Sequence, residues 1–198
     1  MTTYIPQLTL PEAIFNSLPA SILLPIALGS AVGYSTRPKE GGTSRQYDSL
    51  RQPPLRPPPW VFGPVWTTLY GMMGYAAYRA VHFGTSPLNS ASTIAAARHG
   101  ATLYTIQLGL NYAWMPLFFG LGRPVLATVN ILSLLGVNGY LAYLWGNYVD
   151  ETAGWLLTPY IAWLGFATYL TVSIGHLNGW DLSHIAAFKG DKENKKRN

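Results

Sequence analysis

The sequence predicts an all-α membrane protein, a bundle of five transmembrane helices, from three observations. Charged residues make up only 11% of the 198 residues, whereas they are about a quarter of a soluble domain. They leave five uncharged gaps of 24, 22, 24, 26 and 29 residues, and a membrane-spanning helix needs about 20 mainly apolar residues. Runs such as IALGSAVGY and LATVNILSLLGV do not alternate, which favours helices over barrel strands.

The gaps place the five spans along the chain. The residues that bound them are, in order, Glu12 and Arg37, Arg56 and Arg79, Arg98 and Arg123, Arg123 and Asp150, and Glu151 and Asp181. The predicted spans are therefore about 14–36, 61–82, 100–122, 124–147 and 153–178. Residues 1–13 are predicted to form an N-terminal extension, residues 14–180 the membrane domain, and residues 181–198 a basic tail.

Positive charges predict the orientation of the chain. The segment between the first two spans, the turn between the third and fourth, and the tail hold 11 of the 13 Lys and Arg residues. By the positive-inside rule these three segments and the C-terminus face the cytosol, and the N-terminus faces away. The formal net charge of +5 therefore reports topology, and it does not indicate a nucleic-acid partner.

Catalytic and metal-binding sites find little support in the sequence. Among ionisable residues only His99 and His176 approach the spans, and each lies near an end. The chain has no Cys, no cluster with metal-ligand spacing, no Ser–His–Asp arrangement, no P-loop and no GxGxxG. We therefore predict no catalytic residue, no metal and no required cofactor.

The spans carry small and aromatic residues at helical spacing. Gly29 and Gly33 form a GxxxG in the first span, which favours close helix packing. Aromatic and amide residues share one face in each of three other spans: Trp66, Tyr70 and Met73; Gln107, Asn111, Trp114 and Phe118; and Tyr160, Trp163, Ala167 and Leu170. Periodicity alone leaves two interpretations open, helix packing and a ligand pocket.

The stretch QPPLRPPPWVFGPVW precedes the second span and has the most distinctive composition. Its prolines favour an extended, low-entropy lead into the helix. Trp60 and Phe62 are then expected at the cytosolic mouth of the bundle, and both are predicted to be ligand-binding residues. The stretch is either a rigid linker or a lid over a pocket.

Three motifs follow one another along the chain: PPPWVFGPVWTTLYGMMGYA (57–76), LYTIQLGLNYAWMPLFFG (103–120) and TPYIAWLGFATYL (158–170). Through these motifs residues 22–178 resemble the translocator protein (TspO) family, the peripheral-type benzodiazepine receptors and tryptophan-rich sensory proteins. The resemblance implies a five-helix bundle that forms a homodimer, with a pocket that opens toward the cytosol beneath the first loop.

The resemblance also implies ligands and site residues. The expected ligands are porphyrins such as protoporphyrin IX and other heme-like tetrapyrroles, sterols, and drug-like benzodiazepine-site compounds. The residues matching the family's pocket are Trp60, Trp66, Asn111, Trp114, Phe118, Trp163 and Ala167. Val172 and His176 replace a Tyr and an Arg of the cholesterol motif proposed for animal members, so animal-type sterol binding is not carried over.

The leading hypothesis is a non-enzymatic receptor or carrier for a porphyrin, linked to tetrapyrrole or lipid handling and stress responses. The indoles would stack on the macrocycle, Asn111 would bond a polar edge, and Arg51 or Arg56 would pair with the propionates. Two alternatives remain, which are light- and oxygen-dependent porphyrin breakdown and a regulatory scaffold that binds sterol or protein partners.

The chain is expected to be an integral multi-pass membrane protein. The resemblance implies the mitochondrial outer membrane, with plant endomembranes and the bacterial envelope as alternatives. The length, the N-terminal extension and the basic tail favour a eukaryotic member.

Overall fold

The computed structural model describes residues 4–36 and 42–183. Within these ranges the chain is helical and contains no strand, so the predicted all-α class is confirmed there. Arg37, Lys39 and residues 184–198, which include every Lys of the predicted basic tail, lie outside the described residues.

The described residues form seven α-helices. They are α1 (Glu12–Phe15), α2 (Leu18–Ser35), α3 (Gly42–Ser49), α4 (Phe62–Tyr78), α5 (Ala91–Met115), α6 (Pro124–Tyr148) and α7 (Glu151–Leu177). Two of them continue as π-helical turns, α4 through Arg79–Phe83 and α5 through Pro116–Gly120. Short 3-10 turns lie at Pro6–Leu8 and Pro59–Val61.

Side-chain caps explain where three of the long helices begin. The side chains of Ser17, Ser90 and Asp150 accept hydrogen bonds from the backbone N–H groups of Ala20, Thr93 and Ala153, which satisfies donors that a helix start leaves free. The third predicted range starts at residue 100, yet α5 begins at Ala91 and carries Arg98 within it. A charge-free gap measures the apolar part of a helix, whereas the cap sets its first residue.

Within residues 4–36 and 42–183, three helices are long and apolar enough to cross a membrane, by length and composition. They are Leu18–Ser35, Pro124–Tyr148 and Glu151–Leu177. The outer face of α6 exposes Val125, Leu126, Val129 and Leu132, as a lipid-facing helix would. The full count of five spans stays a prediction.

The long helices pack in a bundle with two buried clusters. α6 packs against α5 and α7, and α4 packs against α2 and α7. The main core includes the fully buried side chains of Met73, Tyr104, Trp145, Leu157 and Tyr160. A smaller cluster, the loop-end cluster, consists of Tyr47, Leu50, Phe118, Phe119, Ala127, Ile174 and Leu182.

The opposite end of the bundle is stabilised by an ion pair and by contacts of the N-terminal segment. Arg79 donates from Nε and Nη2 to Asp150 Oδ2 at 3.1 and 2.8 Å. Leu10 N donates to Thr105 Oγ1 at 3.0 Å, and Phe15 packs edge to face on Tyr104. Residues 10–15 therefore lie against α5, away from the loop-end cluster.

Candidate functional site

A cluster of aromatic side chains from α4, α5 and α7 lies in the half of the bundle nearer the loop-end cluster. Trp66 contacts Tyr70 and Tyr160, with ring centroids 5.4 and 6.1 Å apart. Trp114 stacks on Phe118 at 4.9 Å with an interplanar angle of 12°. These rings come from three helices, as expected for either a packed core or the wall of a pocket.

Trp163 and Phe62 connect this cluster to the loop end. Their rings meet edge to face at 6.0 Å, and Phe62 makes a similar contact with Tyr47 at 5.5 Å. Ala167, one turn after Trp163, packs against the main core together with Trp66 and Trp114. The structure thus groups seven of the eight predicted ligand-binding residues, those other than Trp60, in and around one region.

Asn111 is the polar centre of this region. Its Oδ1 accepts from the Tyr70 hydroxyl at 2.6 Å, and its Nδ2 donates to the Tyr160 hydroxyl at 2.8 Å. All three side chains are buried. A buried amide is stable only when it is hydrogen-bonded, so α4 and α7 supply the partners that the amide on α5 requires.

The polar contacts continue deeper into the bundle. The Tyr160 hydroxyl lies 3.3 Å from Gln107 Oε1, and Asn138 Nδ2 lies 3.5 Å from the same oxygen. Asn138 Nδ2 also donates to the carbonyl of Leu134 at 2.8 Å. The chain of polar groups therefore reaches α6. Sequence reasoning did not select Asn138, although an amide within an otherwise apolar run is the signal that identifies it.

Two indole donors beside this network are buried without a hydrogen-bond partner. They are Nε1 of Trp114 and Nε1 of Trp163, as judged over the described part of the chain. An unpaired buried donor costs roughly 1–3 kcal/mol. Both N–H groups are consequently available to an acceptor on a bound molecule.

The two candidate arginines lie on the loop that follows α3. Arg56 pairs with Asp48 at 3.2 Å, and both side chains are about half exposed. The backbone of Arg51 is held by the side chain of Asn178, and its own side chain is exposed. Trp60 is 73% exposed in the turn before α4, so it lies outside the aromatic cluster.

Gly29 and Gly33 have different surroundings. A Cβ at Gly29 would lie 2.3 Å from Tyr70 Cε2, so this glycine permits close approach of α2 to the ring that bonds Asn111. A Cβ at Gly33 would meet nothing within 4 Å. The structure therefore gives Gly29 an intramolecular contact and leaves Gly33 on an open face.

Two surface cavities lie away from the aromatic cluster. One, of about 330 Å³, is lined by Tyr4, Ala91, Ile94, Ala95 and Arg98. The other, of about 510 Å³, lies between α6 and α7 near Gly146, Gly154 and Trp155. Among the described residues no group of three His, Cys, Asp or Glu side chains is placed to hold a metal ion.

Comparison with known proteins places the chain in a family. The profile of the TspO/MBR family matches residues 21–177. The chain is 41% identical over 156 residues to the translocator protein homolog of Schizosaccharomyces pombe, covering 79% of this chain and 88% of that protein. It is 39% identical over 155 residues to the human translocator protein, covering 78% and 86%.

A bacterial relative matches over a similar length. The tryptophan-rich protein TspO of Chlorobaculum tepidum is 37% identical over 161 residues, covering 80% of this chain and 96% of that protein. Together with the helices that are apolar enough to cross a membrane, these matches identify an integral membrane protein. The chain belongs to the TspO/MBR family.

Proposed function

We propose that this protein is a non-enzymatic membrane receptor or carrier that binds a flat, hydrophobic ligand of the porphyrin class among α4, α5 and α7. The observation that carries the proposal is the aromatic cluster around Asn111, in which two buried indole N–H groups have no partner among the residues that the structure describes. A planar macrocycle offers both an aromatic face and polar atoms, which match these two features.

The aromatic rings would supply most of the affinity. Offset or edge-to-face contacts of an indole with an aromatic ring are worth about 0.5–1.5 kcal/mol each beyond the area they bury. The Nε1 groups of Trp114 and Trp163 would donate to acceptors of the ligand. The Oδ1 and Nδ2 atoms of Asn111 are hydrogen-bonded to Tyr70 and Tyr160. The first role of Asn111 is therefore to hold those two rings in position.

The proposal includes a five-span topology with the loop-end cluster on the cytosolic side. The helices α4 and α5 would be the two further spans, because each runs the length of the bundle beside α2, α6 and α7. The propionates of a porphyrin would then face the loop that carries Arg51 and Arg56, where a guanidinium can pair with a carboxylate through two bonds.

We expect a homodimer in the mitochondrial outer membrane, with drug-like ligands competing at the same site and membrane lipid around it. Val172 and His176 are exposed on α7 and lack the phenol and guanidinium of the animal cholesterol motif, so a sterol would need other contacts.

The test is titration of the purified chain with protoporphyrin IX, followed by the absorbance of the porphyrin itself. Trp163→Ala should weaken binding about tenfold or more, because it removes a stacking face and an N–H donor. Trp155→Ala is the matched control, since Trp155 is on the same helix, is 68% exposed and bonds Glu151. Equal affinity of wild type and Trp163→Ala, or equal losses in the two variants, would refute this site.

We propose that the protein does not catalyse light- and oxygen-dependent breakdown of the porphyrin. Illuminating the complex in air should yield no product that disappears when Trp66 is replaced by Phe. A defined product that requires the Trp66 indole would instead support the enzymatic alternative.

A further inference from the structure

The end of α3 and the loop that follows it cover the loop end of the aromatic cluster. Tyr47 and Leu50 are 6% and 4% exposed and pack with Phe118 in the loop-end cluster. Phe62 then joins Tyr47 to Trp163 through two ring contacts. We call residues 47–55, the end of α3 and the first part of the following loop, the loop segment. A ligand that approaches Trp163 from this end first meets Phe62 and, within this segment, Tyr47.

Asn178, just past the end of α7, holds the middle of the loop segment. Its Oδ1 accepts from the Arg51 backbone N–H at 3.1 Å, and its Nδ2 donates to the Arg51 carbonyl at 2.9 Å. The same Nδ2 donates to the Ile174 carbonyl at 2.8 Å, one turn back on α7. A single amide thus joins a helix end to both backbone groups of one loop residue.

Tyr169 holds the loop segment a second time. Its hydroxyl donates to the carbonyl of Pro54 at 2.9 Å. The next residue, Leu55, has φ +66°, a left-handed conformation that is unfavourable for a residue with a Cβ. The Leu55 side chain is 84% exposed, so burial does not compensate for this strain.

The closed loop segment is therefore balanced between opposing contributions. Three buried side chains, Tyr47, Leu50 and Pro53, and three hydrogen bonds near the surface favour closure, while the left-handed backbone at Leu55 favours release. Segments with few buried contacts and exposed backbone bonds open locally at low free energy. Loss of one such bond changes the open population appreciably.

We propose that Asn178 and Tyr169 form a latch on the loop segment that sets how fast a ligand passes to and from the aromatic site. Both are positioning residues, because they act through the backbone of Arg51 and Pro54. The inference rests on the proposed function for its ligand, and it adds the residues that control exchange. A latch that closes with and without ligand governs both association and dissociation rates, whereas a pocket contact governs the dissociation constant.

Stopped-flow binding of protoporphyrin IX to the full chain in lipid nanodiscs tests the latch. Tyr169→Phe keeps the ring and removes one neutral hydrogen bond, so association and dissociation should each accelerate about fivefold. Asn178→Ala removes both bonds to Arg51, and about tenfold or more is expected. In each variant the Kd should change much less than either rate. Tyr140→Phe is the control, since Tyr140 is half exposed on α6 toward the other end.

Because the chain has no Cys, a disulfide can replace the latch. In Arg51→Cys with Asn178→Cys, the reduced protein should exchange porphyrin faster than wild type and the oxidised protein more slowly. Equal rates of porphyrin exchange in the reduced and oxidised proteins, with the disulfide verified by mass spectrometry, would contradict the proposed latch.

Hydrogen–deuterium exchange separates failure of the latch from failure of the proposed function. Without any ligand, the Arg51 amide should exchange faster in Tyr169→Phe and Asn178→Ala than in wild type or Tyr140→Phe. If wild type binds no porphyrin, the proposed function fails, and this measurement still decides the latch. If porphyrin binds and neither the amide nor the rates respond, the latch alone is wrong.

Discussion

Gly29 on α2 lies against the ring of Tyr70 on α4, so closely that a Cβ at position 29 would lie 2.3 Å from Tyr70 Cε2 and 2.8 Å from its hydroxyl oxygen. The same hydroxyl donates to Asn111. Contact between α2 and α4 and the polar centre of the candidate site are therefore coupled through one phenol ring.

Gly29→Ala should lower the thermal unfolding midpoint in detergent. The added methyl group must displace a ring that is buried and hydrogen-bonded, and such overpacking costs about 1–3 kcal/mol. Gly33→Ala is the matched control, because the new Cβ would meet nothing within 4 Å and alanine has the higher helix propensity. A Gly33→Ala variant less stable than Gly29→Ala would show that Gly33 makes the closer contact, for example with a second copy of the chain.

Tyr160→Phe should be more destabilising than a surface tyrosine change. It removes the hydroxyl between Asn111 Nδ2 and Gln107 Oε1, and each buried group left without a partner costs about 1–3 kcal/mol. Tyr140→Phe, on the exposed face of α6, should change the unfolding midpoint little. The measurement is circular dichroism during heating.

A double-mutant cycle tests whether the network acts as a unit. Tyr70→Phe and Tyr160→Phe both remove a partner of Asn111, so their effects on the unfolding free energy should not add. Simple additivity would mean that the two hydroxyls stabilise the fold independently.

The sequence predicted the helical class and which side chains share a helix face, because both follow from local spacing. Asn111, Trp114 and Phe118 are grouped as their 3.6-residue period requires. The partners of Asn111 were not predictable, because periodicity does not say which face of another helix lies opposite. The contact of Asn138 with Gln107 was not predictable for the same reason, since it joins two helices.

The contacts that hold the loop after α3 could not be predicted from the sequence. Arg51 and Asn178 are 127 positions apart, and the bonds involve the backbone of Arg51, which carries no residue-specific signal. Conversely, the Arg side chains that the sequence selected are exposed, and one already pairs with Asp48. Charge counting predicts which segments share a membrane face, and it does not show which charges are already paired.

The Asp48–Arg56 pair predicts how ligand charge affects affinity. Asp48→Asn frees the Arg56 guanidinium and should tighten binding of protoporphyrin IX by about twofold to fivefold, the range for an exposed ion pair. Arg51→Ala with Arg56→Ala should weaken it. The dimethyl ester of the porphyrin lacks the carboxylates, so its affinity should respond to neither change. Equal responses of acid and ester, measured by titration in detergent at low salt, would exclude pairing with these arginines.

A substitution at Leu55 should change the rate of porphyrin exchange in the opposite direction to the substitutions at Asn178 and Tyr169. Asparagine tolerates the left-handed region better than leucine, so Leu55→Asn should relieve part of the strain in the closed loop segment. Protoporphyrin exchange should then slow by about twofold to fivefold, given roughly 1–2 kcal/mol of strain. The Arg51 amide should also exchange more slowly with deuterium. Leu88→Asn is the control, because Leu88 is 96% exposed in the loop at the other end and its φ is not positive. Faster exchange in Leu55→Asn than in Leu88→Asn would mean that the leucine conformation supports closure instead of opposing it.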